Sequence, residues 1–246
     1  YKIELGLSNR DLSGASVYNR NTPRYILDAV VMWNFHENFE LWAGQTKLPG
    51  NIERVVSSAN LQLIDRSLLN SKFNIDRDMG IQLRHKTKLG GNWISREKFS
   101  ISQGEGRNIT EGNIGGLQYT SRLELLPFGE FSSKGDYSQG DLKREKSIKA
   151  MFGFTYDINN NAVKNRSNMG SYMTQSTGGL FETDITTDFI VGVMKYNGFA
   201  LPGEYASRNA DTIETLEADG RTQHAAVVGA GLANNFTGRY LLKNNV

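Results

Sequence analysis

Five cations recur at alternate positions of neighbouring segments: Arg84 and Lys86, Arg96 and Lys98, and Arg122. All five are out of phase with Ile81, Leu83, Phe99, Ile101, Leu117 and Leu123. In extended chain the charges therefore share one face and the apolar residues the other. Guanidinium and ammonium groups on adjacent strands facing water attract anions and replace part of their hydration. A second group, Arg54, Arg66, Lys72 and Arg77, lies in segment 49–78. Beside Arg66 and Arg77 stand Asp65, Asp76 and Asp78, which favour ion pairs that pin the segment. Arg54 and Lys72 stay open between pinning and anion binding. Glu124 shares the face of Arg122, so neighbouring carboxylates limit the field these cations produce.

Other chemistry is not written into the chain. It has no cysteine, hence no disulfide and no thiolate metal site. His36, His85 and His224 are isolated, without metal-ligand spacing or a nucleophile motif. Neither Asp76-Arg77-Asp78 nor the acidic run with Asp211, Glu214, Glu217 and Asp219 has calcium-loop spacing. The expectation is a non-enzyme with no cofactor, no metal and no nucleic-acid partner. The formal net charge of +2 hides an asymmetry: residues 47–98 hold ten Lys or Arg against five Asp or Glu.

The elements that must carry these residues are strands. From Tyr25 to Phe35 the residues Tyr25, Leu27, Ala29, Val31, Trp33 and Phe35 share one face, with Asp28 and Asn34 on the other. The same period of two predicts eleven strands, near 1–7, 24–36, 39–48, 79–88, 93–103, 115–126, 147–158, 181–196, 199–209, 223–233 and 235–243. Only 38% of the residues are hydrophobic, and no run approaches the ~20 apolar residues of a membrane helix. Low hydropathy does not argue against a barrel, where half of every strand faces water. Connections alternate: long at 8–23, 49–78, 104–114, 159–180 and 210–222, short at Glu37-Asn38, Leu89 to Asn92, Asn197-Gly198 and Asn234. Short periplasmic turns and long outer loops give that rhythm to an antiparallel transmembrane β-barrel. Aromatics flank the short turns as a girdle would: Trp33, Phe35, Phe39, Trp42, Trp93, Tyr196 and Phe199.

Leu27, Val31, Leu117, Phe152, Phe154, Val191 and Tyr240 are expected to face lipid. Asp28, Gln118, Arg122, Thr155 and Arg239 are expected to face the lumen. Segment 49–78 should fold inward, because Val55, Val56, Leu61, Leu63, Ile64, Leu68 and Leu69 need burial. Residues 127–146 break the alternation, being long where a short turn is due. An ordered excursion of Gly135 to Asp141 into the periplasm would account for this exception.

The stretch from Leu41 to Leu83 resembles the phosphate-selective porin O and P family of Gram-negative outer membranes. Gly44-Gln45 with Lys47 and Pro49, Ser57-Ser58, Asp65-Arg66-Ser67, and Asp76-Arg77-Asp78 with Gly80 carry the resemblance. Pro127-Phe128-Gly129, Lys134-Gly135-Asp136-Tyr137 and Asp141-Leu142 extend it. The resemblance implies a barrel of about sixteen strands, trimeric as a rule, with an inward-folded loop and a basic anion path. With eleven strands here, residues 1–246 would be one barrel domain and an internal portion of a longer chain. The leading expectation is an outer-membrane porin for passive diffusion of small hydrophilic solutes, biased to anions such as phosphate. The alternative is a plugged structural barrel that docks other envelope proteins. Its partners would be outer-membrane lipid, small anions, and copies of itself or envelope proteins.

Overall fold

A computed structural model describes residues 1–112, 114–175 and 178–210, together with the backbone of four strands beyond them. Among the described residues there are fifteen strands: β1 Lys2–Leu5, β2 Ile26–His36, β3 Phe39–Lys47, β4 Arg77–Gly90, β5 Trp93–Ser102, β6 Gln118–Leu126, β7 Lys149–Ala162, β8 Lys164–Arg166, β9 Met169–Tyr172, β10 Thr183–Tyr196, β11 Phe199–Ala210, β12 Glu214–Leu216, β13 Thr222–His224, β14 Val228–Asn234 and β15 Leu242–Lys243. Eleven of them form one antiparallel sheet in the order β1-β2-β3-β4-β5-β6-β7-β10-β11-β14-β15. Sequential neighbours pair throughout, as hairpins joined end to end require. β8 pairs with β9 and β12 with β13, as small hairpins within long loops. At the short turn between β10 and β11, Asn197 and Gly198 both take positive φ (46° and 93°), the two-residue geometry that matches strand twist.

The sheet curls. β3 and β11 stand six places apart in it, about 29 Å in a flat sheet at ~4.8 Å per strand. Yet Ile52, five residues past the end of β3, donates its N–H to Glu204 of β11 at 2.7 Å. Five fully extended residues reach about 18 Å, and the chain is folded here, with Gly50 N–H bonded to Leu48 O at 2.8 Å. Only a curved sheet brings these groups together.

The two faces of the sheet differ as a membrane wall requires. Outward-facing Val31, Leu83, Phe99, Leu117, Phe152 and Phe154 are exposed apolar side chains, whereas inward-facing Asp28, Gln118, Arg122 and Thr155 are buried polar ones. An apolar exterior around a polar interior inverts the water-soluble pattern. Leu27 is half-buried on the outward phase. Val191 corrects the expectation: it faces inward and is 1% exposed. β10 has apolar residues on both faces, so alternation alone could not orient it; its inward face packs against segment 48–76. Tyr240 and Arg239 lie outside the described residues. Trp42 is a second correction, facing inward rather than joining the girdle.

Segment 48–76 folds onto the inward face, but not as one packed unit. Leu48, Leu69, Phe73 and Ile75 cluster with Phe189 of β10 and Ala206 of β11. Ile52 and Val56 join Ile94, Leu126, Met151, Val191 and Val193 in a second cluster. Two short helices frame it: α1, Ile52–Val55, and α2, Leu68–Phe73. The Ser67 hydroxyl caps α2 by accepting from Asn70 N–H at 3.2 Å. Against expectation, Leu63, Ile64 and Leu68 are exposed, Ile64 at 99%.

Residues 127–148 are the larger correction. They do not project away from the sheet; they turn back onto its inward face. Phe131 joins the cluster of Ile52 and Val191. Lys195 holds the segment by donating to Gly135, Ser138 and Gly140 carbonyls at 2.6, 2.6 and 2.7 Å. Glu145 accepts from Ser132 N–H at 2.6 Å. The two inward segments then meet: Gln139 N–H donates to Asn60 O at 2.9 Å, and Gln62 N–H to the Gln139 side chain at 2.8 Å.

Candidate functional site

The site is the charged inward face of β3 to β6 together with the two segments folded over it. Register sets its plan. Arg84 lies opposite Lys98, Lys86 opposite Arg96, and Lys98 opposite Arg122. Unrelieved, this would place like charges across neighbouring strands. Glu124, opposite Arg96 on β6, supplies the counter-charge. Its carboxylate takes Arg122 Nε at 2.7 Å, Lys98 Nζ at 2.9 Å and Arg96 Nε at 3.2 Å. The inward-folded segment 127–148 adds Asp136, which pairs with Arg96, and Tyr137. Tyr137 donates its hydroxyl to Glu124 at 2.8 Å and accepts from Lys98. Burial, then the Glu124 charge, pushes the Tyr137 phenol well above its ordinary value. It stays a neutral donor at any working pH.

The remaining predicted residues are held in different ways. Lys86 pairs with Glu130, and that hydrogen bond lowers the Glu130 carboxyl. Arg77 bonds Asp28 of β2 at 2.9 Å, locking the start of β4 two strands away. Arg54 pairs with Asp76; burial pushes the Asp76 carboxyl up, but Arg54 and Arg77 hold it below the usual range. Lys72 is exposed and forms no ion pair among the described residues. Arg66 bonds no carboxylate among the described residues: it donates to the carbonyls of Glu53 and Val56 at 2.8 and 3.1 Å. Burial and the neighbouring Arg54 lower its guanidinium without discharging it. Arg84 lies over the Trp42 ring, 3.4 Å from the centroid, and donates to Gln82 at 2.9 Å.

Several residues of this interior carry no signal in sequence spacing. Glu204 tethers Ile52 from the far side of the sheet. Arg208, 2% exposed, donates to the carbonyls of Lys72 and Phe73 at 3.1 and 2.8 Å. Asp157 gathers Gln118, Thr120 and Ser167 in a buried network. Asn60, Gln62 and Gln139 join two loops separated by more than seventy positions. Only the inward phase of Asp157, Glu204 and Arg208 was readable beforehand.

The loops at the opposite end interlock as well. Asn108 N–H donates to Gln45 at 2.6 Å, and Asn159 donates to Gly104 O at 2.8 Å. Gly106 has φ +81°, and a Cβ there would lie 2.5 Å from the Asn168 carbonyl, so this approach requires glycine. Lys164 donates to the Glu105 carbonyl and packs over Tyr172.

An antiparallel curled sheet, apolar outside and polar within, with loops folded onto the inner face, defines a transmembrane β-barrel of the porin kind. No helix among the described residues is long and apolar enough to cross a membrane. The chain belongs to the phosphate-selective porin O and P family, whose family model matches residues 1–230. No curated protein and no solved structure matches it. Membership makes the protein a channel-type protein of a Gram-negative outer-membrane family rather than a member of an enzyme family.

Proposed function

We propose that the protein is an outer-membrane diffusion pore for small hydrophilic solutes that favours anions, phosphate included. The observation that carries this reading is how Arg66 and Arg84 are held. A cation locked to a carboxylate adds little net field. One held by carbonyls or by an aromatic face keeps its charge and is paid for in orientation rather than neutralisation. Arg66 and Arg84 are of the second kind, and both are partly exposed. At 4 Å such a charge attracts an anion by about 4 kcal/mol where the effective dielectric is ~20. Arg96, Lys98 and Arg122, sharing Glu124 and Asp136, contribute less field and more rigidity. Arg54 and Arg77 belong to the carboxylate-paired class and act to pin the loop. Lys72, exposed near the long-loop end, adds a weaker charge, whereas Lys86, near the short turn, is paired with Glu130.

A second reading rests on the clusters that seal segments 48–76 and 127–148 against β10: a barrel closed by its own loops that serves as an envelope scaffold. Reconstitution in planar bilayers separates the two. Open conductance steps, with a reversal potential of anion-selective sign across a salt gradient, support the pore. Replacing Arg66 and Arg84 with Glu should move that potential toward cations in low salt, less in high salt. A bilayer that stays silent at protein levels where the reconstituted barrel is verifiably inserted overturns the pore and leaves the scaffold.

A further inference from the structure

The outward face carries an island of polar groups that the pore does not use. His85 on β4 and Glu97 on β5 are directly opposite one another. His85 Nδ1 lies 2.9 Å from Glu97 Oε2, and the Ser95 hydroxyl donates to Glu97 Oε1. The His85 ring stacks on Phe39, centroids 4.2 Å apart. The side chains are 28% and 43% exposed for His85 and Glu97. Their immediate neighbours on this face are apolar apart from Thr87, which lies opposite Ser95. Along the same row stand Phe39 on one side and Leu123, then Phe154, on the other. Toward the long loops come Leu83 and Phe99; toward the turn come Leu89 and Trp93, all exposed.

A carboxylate within a lipid-facing surface is costly unless it is deep enough in the polar boundary to find a partner. The aromatics beside the turn put this row at that boundary. Each Glu97 oxygen accepts one hydrogen bond from the protein and retains acceptor capacity, directed to a surface that only lipid covers. We propose that His85, Glu97 and Ser95 form a headgroup site for a phospholipid bearing a primary ammonium, of the phosphoethanolamine class. The ammonium donates to Glu97. The phosphate one step nearer the turn meets the Thr87 hydroxyl and the Trp93 indole N–H, which lie on the same face. A quaternary ammonium offers no N–H to the carboxylate, and an anionic headgroup is repelled by it. The site therefore selects by donor chemistry as well as by charge.

The test is native mass spectrometry of the detergent-solubilised full chain. It is equilibrated with equal amounts of phosphatidylethanolamine, phosphatidylcholine and phosphatidylglycerol of one acyl composition. The expected result is retention of phosphatidylethanolamine at least about tenfold over phosphatidylcholine, an advantage of about 1.4 kcal/mol. Glu97→Gln should abolish that preference and Ser95→Ala reduce it, with the circular-dichroism signature of the sheet unchanged. Asp188→Asn, which alters an outward carboxylate of β10, should leave it intact. Equal retention of the three lipids, or loss of preference in Asp188→Asn as in Glu97→Gln, would overturn the site. Dissociation of an oligomer in Glu97→Gln would assign the island to a second copy of the chain instead, and would equally overturn it. None of these readouts depends on whether the barrel conducts.

Discussion

The inward face of β3 to β6 and that of β10 and β11 are built from the same alternating strands, yet they present opposite surfaces. The first carries Gln82, Arg84, Lys98, Arg122 and Glu124; the second carries Phe189, Val191, Val193 and Ala206. The difference follows from what covers each. Segment 48–76 lays its apolar side, Leu69, Phe73 and Ile75, on β10 and β11. On β3 to β6 the cations are instead held by Glu124, Asp136 and the Trp42 ring. One wall anchors the loop by excluding water, and the other holds charge by satisfying it. Period two thus identifies the two faces of a strand, but the polarity of the inner one depends on its tertiary neighbour.

The largest effect should come from the charged wall. Glu124→Gln leaves Arg96, Lys98 and Arg122 with only Asp136 among them. Breaking a buried ion network in this way costs about 3–5 kcal/mol. Thermal unfolding followed by circular dichroism should fall accordingly, while the reversal potential of the surviving barrels moves toward anions. If stability is unchanged, the charged wall is solvated rather than networked, and the contrast between the walls is weaker than drawn here.

On the apolar wall, Phe73→Ala should cost about 3 kcal/mol, the low end for a buried phenylalanine, because a loop relaxes more readily than a strand. The Arg208 guanidinium lies 5.8 Å from that ring and bonds the Phe73 carbonyl, so the substitution loosens the tether as well. Limited proteolysis should then cleave within 48–76 without cutting the strands. Cleavage of the strands at the same rate would mean the loop is integral to the wall.

The loop ends should respond to pH. Burial, then the Asp78 charge, pushes the Glu105 carboxyl up to about 7 from its ordinary value near 4.5. Its folded form therefore binds a proton more tightly than the unfolded chain does. The resulting stabilisation is complete below about pH 4.5, declines through the interval, and is lost as pH rises past about 7. Screened by nearby solvent, it amounts to no more than about 2 kcal/mol. Lys164, lowered to about 8 by burial and then by Arg24, stays charged across that window. Hydrogen exchange of residues 104–112 should be slower at pH 5 than at pH 8, with the difference removed in Glu105→Gln. Identical exchange in wild type and variant would place Glu105 in water.

The smallest effect is expected at Ile64. Ile64→Ser should shift stability by less than about 0.5 kcal/mol, since its side chain is 99% exposed. A larger loss would show that the outer part of segment 48–76 is covered in the assembled protein.

The sequence by itself determined the wall strands from β1 to β11, their order as successive hairpins, and which phase of most of them faces outward, because lipid on one side imposes a strict period of two. It did not show the hairpins β8–β9 and β12–β13, and its turn at Asn234 falls inside β14. It also placed the five stripe cations on one face and marked Glu124 as the residue that limits them. What it did not determine were the contacts that join distant segments. Val191 was ambiguous because both faces of its strand are apolar, one for lipid and one for Phe131 and Ile52. Residues 127–148 have no period to reveal their direction; Lys195 and Gln139 decide it through carbonyls and amides far away in the chain. Which cations keep their charge was likewise a tertiary outcome. Arg84 and Arg96 are alike as strand cations, and Glu124 and Asp136 on one and Trp42 beneath the other separate them. A local pattern records which side of a strand meets lipid, whereas a partner brought by a curled sheet decides whether a charge is neutralised.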